Sequence, residues 1–130
     1  MLKIDTEKMW ILMTRGDTED IVFGAVNKQG DPFHPTAKDR LIFSAAKSVG
    51  KEPLIEIMNE MSTSEDAFWK IRIEPEDTRE LKFGNYAFDV QLEIRDEETG
   101  ELQRVDTIIG KTDTLAPTLV ILGEVSKESE

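Results

Sequence analysis

From Tyr86 to Arg95 the chain alternates apolar and polar residues without a break. Tyr86, Phe88, Val90, Leu92 and Ile94 fall on one side, and Ala87, Asp89, Gln91, Glu93 and Arg95 on the other. A period of two over that length predicts a long strand with one face in a core and one in water. Other stretches repeat the signal in shorter form. Met9–Thr14 is a short apolar run that ends at a glycine, so it predicts a strand buried on both faces. Ile21–Val26 predicts a second strand, with Gly24 marking a bulge or a close backbone approach. Arg40–Ala46 is compatible with a helix, because Ala37, Leu41, Ala45 and Ser48 share a helical face. Ile42 and Phe43 and the neighbouring segments favour a strand instead.

Leu54–Met58 and Phe68–Ile73 predict two further strands, the latter with Trp69, Ile71 and Ile73 on one face, and the polar Asn59–Ala67 between them reads as a loop. Asp96 to Gly100 predicts a hairpin turn, and Leu102–Ile109 the returning strand, with Val105 and Thr107 facing inward. Leu119–Val125 is a last apolar strand, and Ser126–Glu130 reads as a disordered tail. About eight short strands separated by turn signals predict an all-β sandwich or barrel. Residues 1–125 are expected to form one domain, without an internal repeat.

A chain of 130 residues buries enough surface to fold without disulfides, and it has no cysteine to form them. That also removes thiol nucleophiles and cysteine-based zinc sites. The formal charge of −11 opposes nucleic-acid phosphates and anionic lipid as primary ligands. The N-terminal residues show no basic segment followed by an apolar core, and no apolar run approaches the ~20 residues of a membrane span. The expectation is a protein held in a cytoplasm until assembly, with neither nucleic acid nor membrane as partner.

Candidate chemistry is sparse. His34, the single histidine, lies between Phe33 and Pro35 with no local partner for general-base work, and no G-x-S-x-G elbow is present. The carboxylates fall in turns and on solvated strand faces, where nothing raises a pKa for acid catalysis. Asp96, Glu97, Glu98 and Glu101 crowd one hairpin, but the spacing of a calcium loop is missing. Trp10 and Trp69 lie in strands and read as core aromatics; exposed, they would form a sugar-stacking platform. No catalytic, cofactor or metal residue is expected. Arg15-Gly16-Asp17 matches a tripeptide bound by integrins, and its place after an apolar strand reads as a turn.

The segment before the long strand is more informative. Pro75 presets φ for one helical turn near residues 75–81, and Glu76 and Asp77 sit at its positive end. Tyr86 then falls where a tyrosine corner would return its hydroxyl to the backbone, as in immunoglobulin-like sandwiches. Gly16-Asp17-Thr18, the Gly30-Asp31 turn, Pro75-Glu76-Asp77-Thr78, the run from Gly84 and Tyr86 through Asp89 to Gln91-Leu92, and the final LVILGEV follow one another in order. In this order and spacing, over about residues 9–125, the chain resembles small β-sandwich proteins of tailed bacteriophages, including the N-terminal domain of baseplate upper proteins of phages that infect Gram-positive bacteria. Those proteins continue into a part that holds the receptor-binding protein, whereas this sequence reaches Glu130 without one, so the sandwich module alone is expected.

The resemblance implies an immunoglobulin-like two-sheet sandwich acting as a non-enzymatic structural component of a phage or prophage tail or baseplate. It implies other virion proteins and further copies of itself as partners, and the virion as location. The residues expected to make contacts are Arg15, Gly16 and Asp17, and Asn59, Glu60, Ser62, Thr63, Ser64, Glu65 and Asp66, because loops on a rigid sandwich carry recognition. Pro75, Asp77, Thr78, Gly84 and Tyr86 are expected to build a structural corner. The alternative is a carbohydrate- or cell-surface-binding sandwich.

Overall fold

The computed structural model describes residues 2–24, 39–60, 68–96 and 98–123. Within them the order is β1 (Leu2–Asp5), β2 (Trp10–Thr14), β3 (Glu19–Gly24), β4 (Arg40–Ala46), β5 (Pro53–Glu60), β6 (Phe68–Ile73), α1 (Pro75–Thr78), β7 (Gly84–Arg95), β8 (Leu102–Ile109) and β9 (Thr118–Leu122). The larger sheet runs β1-β2-β9-β7-β4-β5, and β8 also pairs with β7; β3 and β6 form a smaller antiparallel sheet. Alternation dictates what lies between the two. From the large sheet Ile11, Met13, Leu41, Phe43, Ile55, Phe88, Val90, Leu119 and Ile121 are buried in the same cluster as Ile21, Ile71 and Ile73 of the small one. The Phe43 and Phe88 rings stack at its centre with centroids 5.4 Å apart. Each fully buried aliphatic side chain of this kind contributes about 1.5–3 kcal/mol.

The long strand β7 is the axis of the molecule. One edge pairs with β4 from Ala87 to Glu93, Leu92 opposite Leu41 and Phe88 opposite Ala45. The other edge is shared: Val90 to Arg95 pair with β8, and Gly84 to Ala87 pair with β9. Strands β8 and β9 therefore follow one another along the same edge in the same direction, and residues 110–117 loop out between them. Beyond β9 comes a parallel pair, in which Trp10 to Thr14 of β2 meet Thr118 to Leu122, and β1 lies at the edge beyond β2.

The turn in front of β7 is a tyrosine corner. Pro75 opens α1, and the Asp77 carboxylate accepts the Glu74 backbone N–H at 2.7 Å, which satisfies a donor at the helix start. Tyr86 is buried, and its hydroxyl donates to the Lys82 carbonyl oxygen at 2.6 Å. Two packed sheets joined through this corner make an immunoglobulin-like sandwich. The acidic hairpin is built as its residues demand. Asp96 Oδ1 accepts from the Glu98 and Thr99 backbone N–H groups at 2.8 and 2.9 Å, and Gly100 takes φ 77°.

Several sequence expectations need correction. Leu2–Asp5 is a strand, paired antiparallel with β2, so nine strands are present among the described residues. Its polar Lys3 and Asp5 had masked it. Strand β2 is buried on one face only, at Ile11 and Met13, because its other face belongs to the outer surface of the large sheet. Strand β5 runs through Glu60, so Asn59 and Glu60 lie opposite Leu41 and Arg40 in the ladder and not in a loop. Val105 and Thr107 point outward: the register sets them against Glu93 and Gln91, and Val105 is 45% exposed. Two register shifts in the β7–β8 ladder, invisible in the alternation, fix that phase. The Gly30-Asp31 turn, His34, residues 61–67 and residues 124–130 lie outside the described residues.

Candidate functional site

The outer face of the large sheet holds one cleft built by small residues. Register places Ser44 opposite Asp89 and Ala46 opposite Ala87 on the β4–β7 pair, and Ala87 opposite Thr118 on the other edge. All five side chains therefore share the outward face. Four of them are short and leave the sheet hollow. Two loops raise walls beside the hollow. The β4–β5 turn contributes Ser48, Val49 and Lys51, and the looped-out residues between β8 and β9 contribute Lys111, Ala116 and Pro117. The volume of this open cleft is about 210 Å³.

The second wall is pinned. The Phe88 backbone N–H donates to the Pro117 carbonyl oxygen at 3.2 Å, and the Thr118 hydroxyl donates to the Ala116 carbonyl oxygen at 2.8 Å. Inside the loop, Thr112 Oγ1 accepts the Leu115 backbone N–H at 3.0 Å. Gly110 starts the excursion where a Cβ would stand 2.8 Å from the Thr107 methyl carbon, a space only glycine can occupy without a shift.

Asp89 is the one acidic group in the described lining, half-buried and with no hydrogen-bond or ion-pair partner among the described residues. Burial pushes its carboxyl above the usual range. Sequence reasoning placed every carboxylate in a turn or on a solvated face, and Asp89 departs from that. The available signal was the facing set Ser44, Ala46, Ala87 and Thr118, whose small size becomes meaningful only once register is known. The described lining holds Asp89 with two lysines, Lys51 and Lys111, and not the second carboxylate that a hydrolytic site expects.

The expected contact residues have other surroundings. Arg15, Gly16 and Asp17 form a tight turn against the corner. The Gly16 backbone N–H donates to Thr78 Oγ1 at 2.8 Å, and the Asp17 N–H to the Thr14 carbonyl oxygen at 3.2 Å. The Arg15 guanidinium lies 4.3 Å from the centre of the Phe83 ring, and its Nη1 donates to the Leu81 carbonyl oxygen at 3.4 Å. Thr78 is fully buried beneath this turn. Pro75, Asp77, Thr78, Gly84 and Tyr86 thus come together with Arg15–Asp17 at one end, on the opposite side of Tyr86 along β7 from Asp89. Ser62, Thr63, Ser64, Glu65 and Asp66 lie outside the described residues. Trp10 is half-buried with the Lys8 ammonium 5.6 Å from its ring centre, while the Trp69 side chain lies outside the description.

A different surface feature lies at the sheet's edge. Among the described residues strand β5 pairs only with β4, and its outward Leu54 and Met58 are 55% and 57% exposed. Among the described residues no group of three or more metal-ligating side chains occurs, and no helix is long and apolar enough to cross a membrane. A scan against protein-family models gives no match, and a search of curated proteins finds no relative.

Proposed function

We propose that this domain is a non-enzymatic assembly component of a phage or prophage tail or baseplate, located in the virion and held in the host cytoplasm before assembly. The observation that carries the reading is strand β5: an eight-residue terminal strand with Leu54 and Met58 more than half exposed. Proteins that stay alone blunt such an edge with lysine, bulges or a covering loop, because its free N–H and C=O groups template another strand. Here the residues between Pro53 and Glu60 contain no basic side chain; Pro53 and the bulge at Leu54 interrupt the first end of the edge and leave Ile55–Glu60 as its regular part. The resemblance of the corner and strand motifs, in their order, to those of phage sandwich proteins supports the same reading.

The occupant of the edge is a basic strand of a neighbouring virion protein. Glu52, Glu56 and Glu60 punctuate this segment, and the whole chain carries −11, so a strand alternating apolar with Lys or Arg residues complements it. Pairing β5 with a second β5 in the register centred on Glu56 would set Glu56 against Glu56, which is destabilising, and the register centred on Ile57 would set Glu56 against Met58. Copies of the domain are then brought together by the symmetry of the partner ring.

The test is proteomics of tail particles purified from an induced host culture, with wild-type or Met58→Lys protein. The expected result is stoichiometric wild-type protein in the particles and loss of the variant, whose purified fold remains intact by circular dichroism. Absence of the wild-type protein from particles overturns the assignment, and undiminished incorporation of the variant overturns the role of β5.

A further inference from the structure

The Asp89 cleft is a built concavity that the assembly reading leaves unused; it lies on the sheet face and touches β5 only at its first residue, Pro53, at the other end of the strand from Met58. Its chemistry is mixed in a specific way. The floor offers a carboxylate acceptor at Asp89 and a hydroxyl at Ser44, and the rim offers a hydroxyl at Ser48 and ammonium donors at Lys51 and Lys111. Ala46, Ala87 and Pro117 supply apolar contact between them. We propose that this cleft binds one neutral polyhydroxylated ring, a single sugar unit of a glycan.

Three observations narrow the ligand to that class. A cationic ligand drawn to Asp89 meets Lys51 and Lys111, and an anionic ligand drawn to the lysines meets Asp89. A vicinal diol escapes both, because each hydroxyl donates one hydrogen and accepts others: it donates to the carboxylate and accepts from the ammonium groups. Size points the same way. A volume of about 210 Å³ lies below the range of pockets for drug-sized molecules, so one ring enters and a larger ligand must extend outward from it. Finally, a half-buried carboxylate with no partner among the described residues works against stability, which marks a group retained for what it binds. Its burial keeps bulk water from fully satisfying it, so a ligand hydroxyl has an acceptor to gain.

The experiment is a titration of the full-length, isotope-labelled chain with glucose, galactose, N-acetylglucosamine and rhamnose, followed by amide chemical shifts. A single sugar unit is expected to bind at roughly millimolar concentration, as suits so small a contact. Saturable shifts of Ser44, Ala87, Asp89 and Lys111 with at least one sugar are the expected result. Asp89→Ala should weaken that binding by about tenfold, the loss of a charge-assisted hydrogen bond. Ser48→Ala should weaken it less, and Met58→Lys should leave it unchanged, which separates this site from the assembly edge. An unperturbed amide spectrum elsewhere in Asp89→Ala shows that the fold survives. Absence of saturable shifts with all four sugars, shifts confined to other surfaces, or equal affinity in Asp89→Ala overturns the proposal.

Discussion

Thr78 joins two segments distant in sequence through one hydroxyl, and replacing it with valine tests whether the corner is braced as described. Valine keeps the branched shape in a site with no exposure and removes only the acceptor that holds the Gly16 N–H at 2.8 Å. A neutral hydrogen bond contributes about 1 kcal/mol net, and a stranded, partly buried donor costs about 1–3 kcal/mol. Thr78→Val should therefore destabilise the domain by about 1–3 kcal/mol, a large part of a total of about 5–15 kcal/mol. Thr78→Ser keeps the acceptor and loses one methyl group, about 0.8 kcal/mol.

Urea unfolding at 25 °C, followed by far-ultraviolet circular dichroism, gives the ordering directly. The wild type should be most stable, then Ser, then Val, with unchanged denaturant slopes. Thermal melts should shift by roughly 3–5 °C for each kcal/mol in a chain of this size. Amide exchange adds a local reading, since the Gly16 N–H should exchange faster in the valine variant while core amides of β7 follow only the global change. A valine variant as stable as wild type, or more stable than the serine variant, would refute the brace. In that case water replaces Oγ1 at no cost, and Arg15–Asp17 is a free loop.

In the core, Phe43→Ala should cost about 3–5 kcal/mol, because Phe43 is fully buried and stacked on Phe88; calorimetry checks this. Burial raises the Asp89 pKa above 3.8, so its contribution to stability is full below that value and is lost as pH rises through the folded pKa. Asp89→Asn should therefore be more stable than wild type at pH 7, with the gain vanishing near pH 3, in paired urea titrations. Asp96 has the opposite sign. Backbone N–H groups of Thr99 and Glu98 lower its pKa, so its contribution is present above 3.8 and is lost as pH falls through the folded pKa. Asp96→Asn should flatten acid destabilisation between pH 2 and 5. Gly110→Ala should move the Lys111–Pro117 wall, visible as amide shifts in residues 110–118, because its Cβ meets Thr107 at 2.8 Å.

How far the sequence revealed the molecule depended on whether a signal was local. Alternation in β6 and β7, the apolar runs of β2 and β9, and the Pro75 turn act within a few residues, and each located its element. The same local chemistry explains Tyr86, whose hydroxyl returns to a carbonyl four positions earlier. Register is not local. Nothing near Val105 reveals that bulges place it opposite Glu93, and nothing near Asp89 reveals that Ser44 and Thr118 are its small neighbours. Strand β1 was hidden because a short edge strand with polar outward residues lacks the apolar run that marked the others. The cleft arises only where a β4–β5 turn and a β8–β9 excursion meet, so it belongs to topology and not to any motif.

The parallel pair between β2 and β9 has a consequence in time. Trp10 to Thr14 leave the ribosome early, while their neighbours Thr118 to Leu122 are among the last described residues to emerge. Until they do, β2 lacks its inner neighbour, Ile11 and Met13 lack Leu119 and Ile121, and Gly84 to Ala87 of β7 have an open edge. Pairing across so long a stretch of chain carries a large loop-closure entropy and slows folding. A nascent chain therefore carries exposed apolar strands through almost all of the domain's synthesis, and the native sandwich closes as a late, single event.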